Sequence, residues 1–482
     1  MKYEQFLELY NAGPEPVYKL LLSIIETNKA LVDKVSSLSQ QVALQDERIK
    51  ELESQLNKNS RNSSKPPSTD EFVKPKSQRK KSGKSSGGQK GHKGHHLKMS
   101  DHPDRSIVHT VKSCLGCGKT LEGISQVRAE RRQVYDIPLP KVEVVEHLVE
   151  SKVCPCCGMH NKASFPDGVT HPVQYGKNLK GLLVYLNQYQ LLPYERLVEL
   201  MHDLFGHTIS EGTLFNTNRT VYEALKTAEE GIVEQLIASS VIHVDETGMR
   251  GEGKRQWVHV VATTKLTHYA YHAKRGSDAT DEIAILPGFK GTAVHDFWKS
   301  YLNYKCEHAL CNAHHLRELT GIMELTGQKW PQEMIELLLK IKDTVTEKEK
   351  LAPHEISSFE TEYDRIVAKG FSENPPPVKE KGKRGRTKQG RARNMLNRLH
   401  EYRRETLAFM YDPQVPFDNN LAERDLRMLK VKQKISGVFR SELGAKMFCR
   451  IRGYISTARK NSVSVLDAIK SALAGKPFVP EL

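Results

Sequence analysis

VIHVDE (residues 241–246), RQWVHVVATT (255–264) and THYAYHAKR (267–275) are three short runs dominated by β-branched and aromatic residues. Such residues favour the pleated, half-buried surface of a sheet, and short connections between such runs favour neighbouring strands. The three runs read as a meander. SDATDEIAILPG (277–288) follows with helical character, and GTAVHDFWKSY (291–301) carries a further strand ending at Asp296. His308–Cys311 then opens into the helical NAHHLRELTGIMEL (312–325).

Three strands, a helix, a strand and a helix form the order of an RNase H-like α/β sheet, which sets Asp245 and Asp296 on neighbouring strands. Two carboxylates about 4 Å apart repel by roughly 4 kcal/mol at an effective dielectric of 20. The pair therefore requires protonation or a cation. Hard divalent ions, Mg2+ above all, suit carboxylate oxygens. Two of them about 3.5–4 Å apart can activate an attacking oxygen and stabilise a leaving one in phosphodiester chemistry. Water or a DNA 3′-hydroxyl would be the attacking group.

A third ligand is expected on a later helix. In VPFDNNLAERDLRMLKVKQKISG (415–437) a helix starts after Pro416, with Asp418, Asn419 or Asn420 as its cap and Glu423 in its first turn. Asn420 and Glu423 also satisfy the spacing of a capping box, a purely structural role. Glu246 and Asp425 are competing acids, and Glu246 points to the opposite face of its strand by the period-two rule.

The whole chain has 482 residues and a formal charge of +15. That is too long for one core and suggests several domains. The charge favours polyanionic partners, nucleic acid first. No apolar run reaches the roughly 18–20 residues that span a bilayer, and the acidic start MKYEQFLELYNAGPEP does not resemble a signal peptide. A cytoplasmic protein without a membrane partner is expected.

Towards the N-terminus, Val17, Leu21, Ile24, Asn28, Leu31, Val35, Leu38, Val42, Gln45, Ile49, Leu52 and Leu56 alternate steps of four and three. This is the seam of a coiled coil, with Asn28 as a register-setting amide, and it predicts a homodimer or higher oligomer. From Lys58 to Lys98, twelve lysines and arginines stand against Asp70 and Glu71 in a Ser-, Gly- and Pro-rich stretch. It reads as a disordered linker and DNA-backbone arm that includes Lys80 and Lys81. The histidines from His92 to His109 belong to that basic context.

Cys114-x-x-Cys117-Gly118 and Cys154-x-x-Cys157-Gly158 flank the strand-like VRAERRQVYDIP (127–138) and KVEVVEHLVESKV (141–153). Two such knuckles supply a tetrahedral Zn2+ site, with Cys156 as an alternative to Cys157. LVELMHDLFGHTISEGTLFNTNRTVYEAL (197–225) has two helices, a turn at Gly206 and a cap at Ser210, a helix-turn-helix pattern. Cys306, Cys311 and His314 or His315 form a weaker candidate metal set; a buried strand entering a helix explains the cysteines as well. His314 and Arg317 are candidates for contacts near the acids. NPPPVKEKGKRGRTKQGRARN (374–394) is a basic loop with Arg384 and Arg386. Arg424, Arg427, Lys430, Lys432 and Lys434 extend the cationic surface beyond Glu423.

NSSKPPSTD, GGQKGHKG, the two knuckles, HVDETGMR, HDFWKSY, CNAHHLREL, PFDNNLAERDLRMLKVKQKISG and FCRIRGYISTARK together resemble the insertion-sequence-66 family of DDE transposases, over nearly the whole chain. The resemblance implies an RNase H-like catalytic domain and Mg2+-dependent cleavage and strand transfer at terminal inverted repeats. It also implies Asp245, Asp296 and Glu423 as the acid triad, and it allows small accessory transposition proteins as partners. The expected fold is multi-domain α/β: coiled coil 1–57, basic linker 58–100, zinc-ribbon-like module 101–165 and helix-turn-helix-like region 166–238. The catalytic core would occupy 239–325 and 395–440, split by a helical insertion at 326–394, with a helical region 441–482 at the end. Rival readings are a catalytically silent DNA-binding repressor or architectural protein, and a nuclease of RNA–DNA hybrids; the latter needs neither coil nor knuckles.

Overall fold

The computed structural model describes residues 2–63, 91, 93, 97–138, 140–348, 350–377, 387 and 389–481. Two compact units emerge: Met1–Pro75 with Gly176–Leu192 and Asn216–Leu482, and Lys76–Tyr175 with Pro193–Phe215. In chain order the elements are α1 (Tyr3–Asn11), α2 (Pro14–Leu56), β1 (Ser151–Val153), β2 (His160–Lys162), α3 (Lys177–Val184), α4 (Tyr194–Phe205), α5 (Glu211–Ala224) and α6 (Lys226–Ala238). The central stretch holds β3 (Val241–Gly251), β4 (Lys254–Ala262), β5 (Thr267–His272), α7 (Ser277–Ile283), β6 (Thr292–His295), β7 (Glu307–Leu310) and α8 (Asn312–Thr326). Then follow α9 (Trp330–Lys348), α10 (Pro353–Glu373), α11 (Arg391–Glu401), α12 (Arg403–Thr406), α13 (Ala408–Tyr411), α14 (Asn420–Ser436), α15 (Glu442–Lys460) and α16 (Val465–Leu473).

The larger unit is a mixed α/β structure on a five-stranded sheet of order β5-β4-β3-β6-β7. β3, β4 and β5 form the antiparallel meander expected from their sequence, while β6 and β7 join parallel to β3. Successive residues face opposite layers, as a pleated strand requires. Val258, Val260 and Ala262 pack with Leu426 and Leu429 of α14 and Phe448 of α15. Val261, with Ile242 and Val244, packs with Ile232 and Leu236 of α6. Buried Ala422, Leu426 and Leu429 recur at helical spacing, so α14 lays one stripe on the sheet. β3 runs five residues beyond Glu246, the end expected from sequence, because TGMRG continues to pair with β4 as far as Gly251↔Lys254.

After α8 the chain leaves the sheet for a helical layer. Trp330, Met334, Leu337, Leu338 and Ile341 of α9 pack with Tyr363 and Ile366 of α10 and Leu396 and Leu399 of α11. Residues 326–394, read from sequence as a helical insertion, hold α9, α10 and the start of α11, which runs on to Glu401. At the C-terminus Val465, Ala468, Ile469 and Ala472 of α16 pack on α15.

α2 is one continuous helix of 43 residues. Leu21, Ile24, Leu31, Val35, Leu38, Val42, Ile49, Leu52 and Leu56 along its seam are 42–85% exposed. Among the described residues this apolar stripe is left largely uncovered. The segment directly after α2, expected to be linker, is instead structured up to Ser63. Asn62 Nδ2 donates to Glu324 Oε2 at 3.0 Å, and Ser63 is buried. Gly321 of α8 is required there, because a Cβ would collide with the Asn62 carbonyl. Most of the rest of the expected linker, with Lys80 and Lys81, lies outside the described residues, as do Arg384 and Arg386.

In the smaller unit each cysteine knuckle closes on the same hydrogen bonds. Gly118 N donates to Cys114 O and Gly158 N to Cys154 O, both at 2.9 Å. β1 and β2 pair around the second knuckle, and a bridge joins Ser113 and Thr120 around the first. The strand-like runs 127–138 and 141–153 form no strand among the described residues except Ser151–Val153; single apolar alternation without a buried face does not fix a ladder. α4 ends at left-handed Gly206 (φ +61°). The Ser210 hydroxyl accepts from Thr213 N at 3.1 Å where α5 begins, so the helix-turn-helix pattern exists locally. No described helix is long and apolar enough to cross a membrane.

Candidate active site

The last β3–β6 pair is His243↔Val294, and carrying this parallel register on by two residues brings Asp245 level with Asp296. Asp245 Oδ1 accepts from the Glu246 amide at 2.8 Å, and Asp296 Oδ1 from the Trp298 amide at 3.1 Å. Between Asp296 and Trp298 the chain reverses sharply at Phe297, whose φ of +70° is left-handed. That conformation costs a bulky residue about 1–3 kcal/mol and persists only where packing imposes it. Here Tyr402 meets the Phe297 ring edge-on at 4.9 Å and the Arg398 guanidinium covers it at 4.5 Å. Burial raises the Asp245 carboxyl well above the usual range, and the charges of Asp296, Glu246 and Glu423 push it further.

Glu423 reaches this place through Asn419, a residue that sequence reading offered only as one of three caps. Buried Asn419 precedes α14 and makes no side-chain cap. Its Nδ2 donates to Val244 O at 2.9 Å, its Oδ1 pairs with His243 Nδ1 at 2.8 Å, and its amide donates to Cys311 Sγ at 3.2 Å. Burial lowers the His243 pKa, so the neutral ring donates through Nδ1. One side chain thus ties the start of α14 to the strand that carries Asp245. The capping-box alternative fails: the N-cap position of α14 is Asn419, not Asn420, and Glu423 Oε1 is buried with no hydrogen-bond partner. His314 Nε2 at 3.9 Å and Arg317 Nη2 at 3.8 Å flank the carboxylate without bonding it closely. Asn419→Ala leaves two buried polar groups unpaired and is expected to cost about 2–5 kcal/mol. Denaturant unfolding of the variant checks this; a loss within error of wild type would contradict the anchor.

The competing acids are occupied elsewhere. Asp425 accepts from Lys460 Nζ at 2.7 Å and from Thr267 Oγ1 at 3.3 Å. Glu246, on the other face of β3, pairs with Arg275 at 2.6 Å and accepts from the Tyr301 hydroxyl. Arg275 in turn stacks 3.7 Å over Trp298, two residues past Asp296. That buttress was not legible in sequence, since its members are scattered over 55 residues. A cavity of about 650 Å³ elsewhere is lined by six glutamates together with His268, His272 and Lys446, and Glu229, Glu282 and Glu442 are ion-paired to Arg450, His272 and Lys446.

A model of the IS66 transposase family matches residues 172–447, more than half of the chain and a span that contains Asp245, Asp296 and Glu423. The chain belongs to the IS66 transposase family. A second model, of a family of unknown function (DUF6444), matches residues 17–98. No curated protein matches the chain.

Around the three acids of this transposase, Arg424, Arg427 and Lys434 are exposed on α14. Lys430 turns inward to Gly248 O at 3.0 Å. Lys432, expected on the same cationic surface, is also turned inward, with its ammonium 5.0 Å and 5.2 Å from the Phe439 and Phe448 rings. Burial lowers its pKa to about 8. Below that pH it is protonated in folded and unfolded chains alike and the cost of burying the charge is fully present. Between about 8 and 10.5 only the unfolded chain keeps the proton, so stability rises with pH. Lys432→Met is therefore expected to raise stability by about 1–3 kcal/mol at pH 7, a gain that fades in melts at pH 10. A destabilised variant would contradict this.

Within the knuckles, the Cys114 thiol is held below its usual range by hydrogen bonds from the Cys117 and Gly116 backbone and the Cys117 thiol. Cys154 is treated alike by Cys157 and Cys156 backbone and by the Cys157 thiol, which makes Cys157, not Cys156, the counterpart of Cys117. Among the described residues the four thiols do not converge. The set that does is Cys311, His314 and Glu423. Cys306 is not part of it, and His315 is buried against Asn312 Oδ1 at 3.1 Å.

Proposed function

We propose that this transposase uses Asp245, Asp296 and Glu423 as one acid triad that holds Mg2+ for DNA strand cleavage and strand transfer at the ends of its element. The reading is supported by the β3–β6 register, which sets Asp245 level with Asp296 just past β6, and by the charges of Asp296 and of Glu423 in the first turn of α14, which add to burial in raising the half-buried Asp245 carboxyl. The donor set fits the ion: all oxygen, anionic, with the Glu423 Oε1 atom buried and unpartnered. The three carboxylates would hold the ion, and the chemistry it would supply is activation of an attacking oxygen and stabilisation of a leaving one. The chain's own part is positional. Asn419 fixes Glu423 against β3, the Phe297 turn fixes Asp296, and the Arg275–Tyr301 pair keeps Glu246 out of the triad. Arg424, Arg427 and Lys434, with Lys80, Lys81, Arg384 and Arg386, would bind the DNA backbone and set its register. The sheet order β5-β4-β3-β6-β7, with β4 antiparallel to its neighbours, supports an RNase H-like core.

The remaining modules are read in the same sense. Cys114, Cys117, Cys154 and Cys157, which do not converge as the knuckles stand, would hold one structural Zn2+ only once the two knuckles close on each other, and the helix-turn-helix pattern of α4 and α5 would meet the inverted repeats. The exposed seam of α2 would pair with a second copy, giving a dimer at least. Leu31→Asp with Leu38→Asp is expected to convert a micromolar dimer to monomer in sedimentation equilibrium. A wild-type monomer would contradict the seam. Small accessory proteins remain candidate partners, and the cytoplasm is the expected place of action.

The test is incubation of the purified chain with a plasmid bearing its gene and flanks, with and without Mg2+. Breaks at the flank boundaries in Mg2+ alone support the reading. Tight binding without breaks, even with the neighbouring gene products added, would favour a silent repressor.

A further inference from the structure

Cys311 directly follows β7 at the N-cap position of α8, and His314 stands three residues later in the first turn of that helix. Cys311 Sγ, a ring nitrogen of His314 and a carboxylate oxygen of Glu423 lie within 4.8 Å of one another. His314 Nδ1 and Glu423 Oε1 are both buried without a hydrogen-bond partner, and His314 Nε2 is 3.9 Å from that same Oε1. Magnesium gives the thiol and the imidazole nothing to do, since it selects oxygen ligands. One sulfur, one imidazole nitrogen and one carboxylate suit a borderline-soft ion instead.

We infer that Cys311, His314 and Glu423 form a zinc-type site, separate from the knuckles, whose occupation withdraws Glu423 from the acid triad and shuts off cleavage. The inhibitory half rests on the proposed role of Glu423; the binding half does not. Bonds of about 2.3 Å to sulfur and about 2.0–2.2 Å to nitrogen and oxygen put tetrahedral ligands roughly 3.3–3.8 Å apart. The observed spread of up to 4.8 Å closes by side-chain shifts of roughly 1 Å. On binding, the thiol proton passes to solvent and the thiolate takes the metal. The Asn419 amide, 3.2 Å from Sγ, then becomes the outer hydrogen bond that thiolate ligands use. Three protein ligands leave a fourth position for water. Because one carboxylate faces both the triad and His314, the two metals compete for it.

The experiment uses the full chain as wild type, Cys311→Ser and His314→Gln, saturated with Zn2+ and then dialysed against a weak chelator. Wild type is expected to retain one zinc per chain more than either variant, the knuckles being common to all three. Equal zinc in all three overturns the site, and His314→Gln decides should Cys311→Ser fail to fold. Zn2+ is then titrated into Mg2+-dependent cleavage. The inference expects wild type to lose cleavage at zinc concentrations that leave Cys311→Ser active. Equal inhibition of both, or of neither, overturns the inhibitory role. Should wild type not cleave under any condition, the triad reading fails and the inhibitory half falls with it, while the zinc count still decides the site.

Discussion

Asp296→Asn lowers Mg2+-dependent strand cleavage by on the order of 10³-fold or more and leaves DNA binding close to wild type. The magnitude follows from the several kcal/mol that a metal supplies to charge in a phosphoryl transition state, at about 1.4 kcal/mol per tenfold in rate. The survival of binding follows from the local structure. An asparagine oxygen can still accept from the Trp298 amide, so the left-handed turn at Phe297 and its cover by Tyr402 and Arg398 persist. Phosphate contacts come from other residues, so the salt dependence of binding, roughly 0.9 per contacted phosphate, should not change. Paired cleavage and binding assays across a salt series measure both. Loss of binding along with cleavage would mean that Asp296 shapes the fold rather than the chemistry.

Removing the zinc proposed for the knuckles is expected to be the second large effect. A structural zinc of the four-cysteine kind contributes about 10–16 kcal/mol of apparent folding energy. Around the knuckles the protein alone offers little: β1 and β2 are three residues each, and their residues are exposed. Stripping zinc is expected to make residues 101–165 open to protease while the sheet unit, with its own buried cores, stays resistant. Cys157→Ser should lose the zinc, whereas Cys156→Ser should keep it, because Cys157 pairs with Cys154 as Cys117 does with Cys114. The reverse outcome would exchange the two ligands. Unchanged protection after chelation would remove zinc from the account.

How much of this was legible in the chain depends on the range of each interaction. The meander, α14 and the seam of α2 carry their own periodicity, so sequence reading found them. It also placed Asp245 and Asp296 on neighbouring strands from the order of the elements alone; β3 and β6 are adjacent in the sheet, with Asp296 one residue past the end of β6. It offered Asn419 only as a possible cap and missed its anchoring role, because the partners His243, Val244 and Cys311 are more than a hundred residues away. Nor could charge counting tell exposed Arg427 from Lys432, which helical rotation turns onto Phe439 and Phe448. The strand-like 127–138 misled for a related reason. Alternation predicts a strand only where a buried face rewards it, and Val127, Val134 and Ile137 remain exposed.

The central claim is that three acids make one cation site, and thermal unfolding in metal-depleted buffer with and without Mg2+ tests it most directly. The Asp245 carboxyl is raised in the fold, so its ionised form destabilises the metal-free protein once pH exceeds the unfolded value of about 3.9. Asp245→Asn should therefore melt higher than wild type without metal at pH 7. Mg2+ should then stabilise wild type, by about 2.7 kcal/mol at a hundred times its dissociation constant, and should shift Asp245→Asn, Asp296→Asn and Glu423→Gln far less. Equal Mg2+ shifts in wild type and all three variants would contradict the account.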